Sequence, residues 1–533
     1  PEHRGDSVRV ETSGRINPGP FRLSVLRKKN KQAVATFLTH PDDKGKGGWF
    51  LMLMAPPEAD ENAPKLKREV TLVLDRSGSM AGEKLDQARA AALQVVEGLE
   101  PDDHFNLIVY NEAISKFAEG AVEASRENVL KARKFINSIR VSGGTNIHGA
   151  LKAAITQPPV EGTLPIVLFL TDGLPTIGVT SEKRIRENIA KHNRLSRRIF
   201  TFGVGVDVNT PLLSRLADDT RATASFVLPR EKVELKVAQV FRRLAGPVLA
   251  KPDLVPVDAA GEYDSSRVDD VVPHDLPDFF ADGQVIVTGR YLGKKPLRFR
   301  LVGDDGDKQR SFRFDFDPKG KRDPFVPRLW ATRKIAVLTD ALRDLGADTA
   351  MRGLTGDGID RNDPRVKELV DEIVRLSTEH GILTEYTAFL ARDGEVFRPQ
   401  AERRETARDH YVEKAIRQRS GASSVNQDWN LSKQKIAGSL NPTNRFLNED
   451  LVEEEIANVQ QNADMAFYKK GDAWIDSRAI SDEAARQPAV EVAIGSKDFD
   501  QLVDKLVATG RQSCLNLGTG LEVVVDDTRY RIR

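Results

Sequence analysis

The sequence predicts an α/β chain in which a doubly wound, mostly parallel sheet is inserted on a supporting body, β-rich at first and helical later. Two observations carry this. Between residues 69 and 245, short apolar runs alternate with amphipathic stretches, strand then helix. On either side the pattern is that of strands broken by Gly and Pro, and long helical stripes appear only after residue 325. With 533 residues the chain has room for about three to four domains of roughly 150 residues each. Lys plus Arg number 80 against 79 for Asp plus Glu. A net charge of +1 provides no basic field, so nucleic acid is not an expected partner.

In chain order, residues 7–11 alternate, 21–26 and 33–39 are strand candidates, and 48–55 form an apolar strand stopped by Pro56 and Pro57. Residues 71–74 carry no charge and favour a strand buried on both faces. Asp75, Ser77 and Ser79 then bring three oxygens to its carboxyl end, where open α/β sheets bind ligands. Leu85, Ala88, Ala92, Val95, Val96 and Leu99 recur three and four residues apart and mark a core-facing helix stopped before Pro101. Strands follow at 105–110, 164–170, 198–205 and 224–228. Helices are expected at 126–139, 147–155, 181–192, from 210, and at 231–244. Such alternation closes into a mostly parallel sheet with helices on both faces.

A DxSxS string by itself reads equally well as a helix N-cap, because its oxygens satisfy free backbone N–H groups. Two further acceptors in the same setting change that. Val141-Ser142-Gly143-Gly144-Thr145-Asn146 is a Gly-rich turn opening a helix, and the strand at 164–170 runs into Thr171-Asp172-Gly173. With these residues the chain resembles a von Willebrand factor A domain with an intact metal-ion-dependent adhesion site. Asp75, Ser77 and Ser79 match the first loop of that pattern, Thr145 the second and Asp172 the third, with no departure. The resemblance implies a Rossmann-like fold and a bound Mg2+, with Mn2+ or Ca2+ as alternatives. A hard cation of this kind takes oxygen ligands, at roughly 2.0–2.1 Å for Mg2+. Few anionic ligands would leave it electrophilic and able to accept a partner's carboxylate. Gly143 and Gly144 let the backbone turn tightly and bring Thr145 close.

The resemblance extends further. Residues 1–68 resemble the second half of the VIT domain that precedes the A domain in inter-alpha-trypsin inhibitor heavy chains and their bacterial-type relatives. Residues 327–390, with Leu329-Trp330-Ala331 and Gly381-Ile382-Leu383-Thr384-Glu385-Tyr386-Thr387, resemble the segment that follows it. This implies that the β and helical segments pack back on the VIT-like sheet, with the A domain as an insert. The first half of that domain is missing, so a processed chain or a fragment is expected. The expected divisions are a VIT-like remnant at 1–68, an A domain at 69–245, a β-sandwich-like segment at 246–324 and a helical segment at 325–395. A polar linker or helix at 396–460 and a small β-rich unit at 461–533, with a hairpin turning at Gly471-Asp472, complete the chain. Within the sandwich-like segment, Gly303 to Asp307 read as a hairpin turn whose spacing matches no EF-hand. Heavy chains attach to a glycosaminoglycan through an Asp in a DPHF setting, which is absent here and is not carried over.

Other features assign less. The single Cys514 excludes an internal disulfide framework and a Cys-rich zinc site. No apolar run approaches the ~20 residues that span a membrane, and because the chain begins with Pro1 rather than Met the absence of a signal peptide is uninformative. A secreted, periplasmic or cell-surface location is expected. His104, His148 and His192 are scattered without an HExxH pair, and Asp103 and Asp207 stand alone. Arg4-Gly5-Asp6 is a three-residue match in a charged terminus and reads as chance. The expected function is a non-enzymatic adhesion or protein-binding module, whose partner is a protein or extracellular-matrix ligand offering Asp or Glu. The alternative is an Mg-dependent enzyme, for which no triad or phosphate loop is offered, or an accessory subunit of a chelatase-like ATPase needing a separate motor.

Overall fold

Lys67–Asp75 is the central strand of the inserted unit, and eight of its nine residues are buried. The structure, a computed structural model, describes residues 2–4, 7–9, 33–43, 45–56, 67–228, 231–243, 247–280, 283–305, 308–318, 322–349, 359–392, 395–480 and 488–533. The strand candidates at 10–11 and 21–26, Gly5 and Asp6 of the Arg-Gly-Asp string, and Gly306 and Asp307 of the hairpin lie outside the described residues.

The sheet runs Ala224–Val227, Arg198–Val204, Thr163–Thr171, Lys67–Asp75, His104–Tyr110, Ile114–Lys116. The first five strands pair in parallel and the last in antiparallel fashion. Val122–Glu123 pairs with the far end of His104–Tyr110. Successive side chains of a strand point to opposite faces, so Val70, Leu72 and Leu74 share one face and Glu69, Thr71, Val73 and Asp75 the other. Val70, Leu72 and Leu74 pack on Leu85, Ala92 and Val96 of helix Glu83–Glu97, together with Ile136 of Arg126–Ser138 and Val237 of Val233–Arg243. Val73 faces Leu151 of Ile147–Thr156, Ile185 of Glu182–His192 and Leu212 of Thr210–Asp218. Each such aliphatic side chain contributes roughly 1.5–3 kcal/mol when fully buried. Ser125, Asn146, Ser181 and Asn209 cap their helices by accepting from backbone N–H groups.

At the amino ends of the strands sits a polar plug. Arg197, fully buried, is paired with Glu69 and donates from Nη2 to the Gln157 carbonyl at 3.1 Å. Asp103, which the sequence left unassigned, accepts from the backbone N–H groups of Arg68 and Glu100, both at 2.9 Å, and pairs with the Arg68 guanidinium.

The chain on either side of this unit builds one β-sandwich. One sheet runs Phe279–Phe280, Pro247–Pro256, Leu297–Asp305, Lys308–Phe316, and the other Val268–Val272, Val285–Leu292, Gly47–Ala55, Val34–Pro41. Residues expected in two separate segments, 1–68 and 246–324, are therefore neighbours in a single core. Gly47–Ala55 pairs with Val285–Leu292 from Met54 opposite Val285 to Gly47 opposite Leu292. Phe37, Phe50, Phe299 and Phe316 fill the space between the sheets, with Phe37 stacked on Phe50 at 5.2 Å and on Phe316 at 4.3 Å.

Helix Val326–Thr349 covers the outer side, and helix Pro364–His380, running from an Asp363 cap to Gly381 at φ 63°, packs on it and on strand Met465–Lys470. Residues 396–460, expected as a polar linker or helix, hold helices Gln400–His410 and Ala422–Lys435 joined through a π-turn at Tyr411–Ile416. Ala422–Lys435 is not a linker. It wedges between the inserted unit and helix Val326–Thr349, and its buried residues include Ser424, Asn426, Gln427, Asp428 and Asn430. Their partners are polar too. The Ser424 and Thr210 hydroxyls are 2.6 Å apart, Ser214 donates to Asp428 Oδ2 at 2.8 Å, and Arg343 lies 3.3 Å from Asp428 Oδ1. Around them Arg186 pairs with Asp344 at 3.0 Å, Arg215 with Asp340 at 2.9 Å, Lys435 with Asp218 at 2.7 Å, and Arg419 with Glu182.

The C-terminal unit is a six-stranded sheet, Val459–Asn462, Met465–Lys470, Ala473–Asp476, Glu522–Val525, Thr528–Ile532, Val490–Val492, backed by helix Lys497–Ala508. Phe467, Leu502, Leu506, Cys514 and Val523 are its core, while Tyr468 and Ile475 face the helical body. Among the described residues no helix is long and apolar enough to cross a membrane.

Candidate metal centre

Three crossovers at the carboxyl ends of the central strands meet at one point. Asp75 ends the central strand and is fully buried. Its Oδ1 accepts from the Ser77 backbone N–H at 2.8 Å, and its Oδ2 accepts from Thr171 Oγ1 at 2.6 Å and from the Tyr110 hydroxyl at 3.3 Å. Burial raises the Asp75 carboxyl above the usual carboxylate range. The bonds from Thr171 and Ser77 oppose this rise, and the nearby charge of Asp172 adds to it. Tyr110 lies beneath, its phenol pushed well up by burial and by the Asp75 charge, so it is a neutral donor.

Asp172, the first residue past strand Thr163–Thr171, is likewise fully buried. Ser79 donates to its Oδ1 at 2.7 Å and Lys84 to its Oδ2 at 2.7 Å. The Ser77 and Ser79 hydroxyl oxygens are 3.1 Å apart. Thr145 closes the group: a Cβ on Gly173 would stand 3.6 Å from Thr145 Oγ1 and 3.7 Å from Ser79 Oγ. Asp75, Ser77, Ser79, Thr145 and Asp172 are thus brought together on one rim.

The loops are tied to one another. Gly78 donates to the Gly143 carbonyl at 3.1 Å and Ser142 to that of Arg76 at 2.9 Å. Thr145 N–H donates to Thr176 Oγ1 at 2.8 Å, and Thr176 N–H returns to the Thr145 carbonyl at 3.0 Å. Asn111 Nδ2 holds the Ser142 carbonyl at 2.8 Å. The glycines are there for space. A Cβ on Gly144 would meet Ile177 Cγ1 at 2.8 Å and Thr176 Oγ1 at 2.9 Å, and Gly143 turns at φ +71°.

Two carboxylates and three hydroxyls are a hard, oxygen-only donor set, suited to Mg2+, Mn2+ or Ca2+ and not to a soft metal. The two buried carboxylates face a single ammonium, that of Lys84, which leaves the rim one negative charge in excess and fits a divalent cation. Among the described residues no group of three or more His, Cys, Asp and Glu stands together as a metal site. His148, half-buried against Asn188 and with its pKa lowered chiefly by burial, is not among the residues that meet at the rim. Sequence reasoning missed Lys84, Tyr110 and Thr171. Thr171 adjoins Asp172, and Lys84 opens a helix where an acidic residue would be the ordinary choice.

Residues 68–226 match the family model described as the von Willebrand factor type A domain. This unit is a von Willebrand factor type A domain. Over a longer stretch the chain is similar to inter-alpha-trypsin inhibitor heavy chains. It is 28% identical to heavy chain 4 of Mus musculus over 307 residues, covering 53% of this chain and 31% of that one. It is 28% identical to heavy chain H4 of Homo sapiens over 318 residues, covering 55% and 33%. The chain thus spans about a third of the length of these relatives. A solved von Willebrand factor type A protein from Catenulispora acidiphila aligns over 66% of this chain and 87% of its own at 12% identity, with a TM-score of 0.47.

Proposed function

We propose that the A domain is a non-catalytic, ion-dependent protein-binding module. Asp75 and Asp172 would hold a divalent cation, Mg2+ in the first place, with Ser77, Ser79 and Thr145 supplying neutral oxygens. The ion supplies an electrophilic centre for an Asp or Glu carboxylate of a partner protein or matrix component. The chain's own work is to keep the donors in place. Thr171 and Tyr110 fix the Asp75 carboxylate from below, and the hydrogen bonds among the loops hold Thr145 toward the two serines. The observation that carries the reading is the meeting of two fully buried carboxylates and three hydroxyls on an otherwise glycine-rich rim. Such a module belongs outside the cell, in a periplasm or on a cell surface.

The test is a pull-down from extracellular-matrix extract with the full chain in Mg2+, in EDTA, and as Asp172→Ala in Mg2+. Proteins retained only by the wild type in Mg2+ support the proposal. Retention indifferent to both EDTA and the substitution refutes it.

A further inference from the structure

Lys84 occupies the first turn of helix Glu83–Glu97, directly after the loop that carries Ser77 and Ser79. The positive end of a helix favours acidic side chains, so a lysine there runs against the dipole. Its ammonium is nevertheless aimed back at the rim, 2.7 Å from Asp172 Oδ2. The lysine side chain is 34% exposed and the carboxylate not at all, so the pair is partly shielded from solvent. The side chain runs past Gly205, which turns at φ +82°; a Cβ there would stand in ordinary contact, 3.7 Å from both Cε and Nζ of Lys84. Asp75 has no such counter-charge, its partners being a backbone N–H and two hydroxyls.

The charges then sum simply. Arg76, next to Asp75, and Glu112, whose Oε1 accepts from the Gly144 N–H at 3.3 Å, offset one another, so Asp75, Asp172 and Lys84 leave the rim at one negative charge. A divalent cation would bring it to one positive, and a single incoming carboxylate to zero. With a neutral side chain at position 84, the ion alone would neutralise the rim and an incoming carboxylate would leave it negative. We infer that Lys84 is the specificity-determining charge of the rim: it competes with the divalent cation for Asp172 and leaves the ion-loaded rim with the positive charge that selects a single carboxylate. This rests on the reading of the rim as a cation site.

The experiment uses the full chain as wild type, Lys84→Met, Lys84→Gln, Lys84→Arg and Asp172→Ala. Mn2+ binding is read from the electron-spin resonance of the free ion. Carboxylate binding is read from the acetate concentration that lowers water-proton relaxation by bound Mn2+. Lys84→Met and Lys84→Gln are expected to tighten Mn2+ about tenfold, the equivalent of about 1.4 kcal/mol, and to raise the acetate requirement by a similar factor, while Lys84→Arg stays near wild type. Mn2+ binding that Asp172→Ala abolishes but that is unchanged or weakened in Lys84→Met and Lys84→Gln overturns this inference and leaves the cation site standing. A wild-type chain that binds no Mn2+ overturns both.

Discussion

Removal of the divalent cation and removal of the Asp75 charge should move the stability of the A domain in opposite directions. Burial holds the folded-state pKa of Asp75 above its unfolded value. The sign follows from linkage. The stability this group brings is present at low pH and is lost as pH rises through the folded value, so at neutral pH its charge is a net cost unless a cation compensates it. Asp75→Asn removes the charge and keeps the shape, and its amide can donate to the Thr171 hydroxyl, which now donates to Asp75 Oδ2. In EDTA the variant should therefore unfold at a higher temperature than wild type. A ligand at a hundredfold its Kd stabilises the folded state by about 2.7 kcal/mol. For a unit of 150–250 residues that is roughly 5–11 °C, at roughly 2–4 °C per kcal/mol. Calorimetry of the full chain in EDTA and in saturating Mg2+ should show this rise for wild type and none for Asp75→Asn. A variant less stable than wild type in EDTA that still gains the full Mg2+ shift would refute the reasoning.

Two further outcomes are expected. Arg197→Met leaves Glu69 buried without its partner at the amino end of the central strand and should cost about 3–5 kcal/mol, yet leave the Mg2+ shift unchanged because the plug lies at the far end of that strand. Glu385, whose carboxyl burial pushes up to about 7, loses its contribution to stability as pH rises from about 4.5 to about 7, whereas His380, pushed down to about 4 by burial, loses its own as pH falls from about 6.5 to about 4. The two nearly cancel in wild type. Glu385→Gln should gain up to about 3 kcal/mol at pH 8 and nothing at pH 4, so melting curves against pH should steepen on the acid side; an unchanged profile would refute the assignment.

The A domain was legible in the sequence because each of its strands is short, apolar and locally bounded. Residues 71–74 favour a strand covered on both faces, and the structure covers them so. The rim was legible through the resemblance of its loops to the A-domain pattern, each of its five residues lying within four residues of a strand end or helix start. The sandwich was not. Gly47–Ala55 meets Val285–Leu292 across the whole inserted domain, and such pairing leaves no local trace in either strand. Helix Ala422–Lys435 was hidden by its chemistry. Ser424, Asn426, Asp428 and Asn430 look solvated in sequence, but they are buried against other polar groups, and a search for apolar stripes cannot find a face whose partners are Thr210, Ser214 and Arg343. Lys84 was visible as a helix-start residue, but nothing in the sequence pointed its ammonium at a carboxylate 88 residues away.

The attachment of the A domain to its body has a mechanical meaning. The chain enters at Lys67 and leaves through helix Val233–Arg243, whose Phe241 ring lies 4.8 Å under the Arg68 guanidinium, so both covalent connections sit side by side at the end away from the rim. Held there alone, a domain tugged at its rim would swing as on a hinge. The wedge of Ala422–Lys435, gripping the flank at Thr210 and Ser214 and braced by Arg215, Arg186 and Lys435, adds a third anchor off that axis. Tension applied at the rim is thereby spread over three points and passed to the sandwich as shear, and peeling the domain away requires many short polar contacts to fail together.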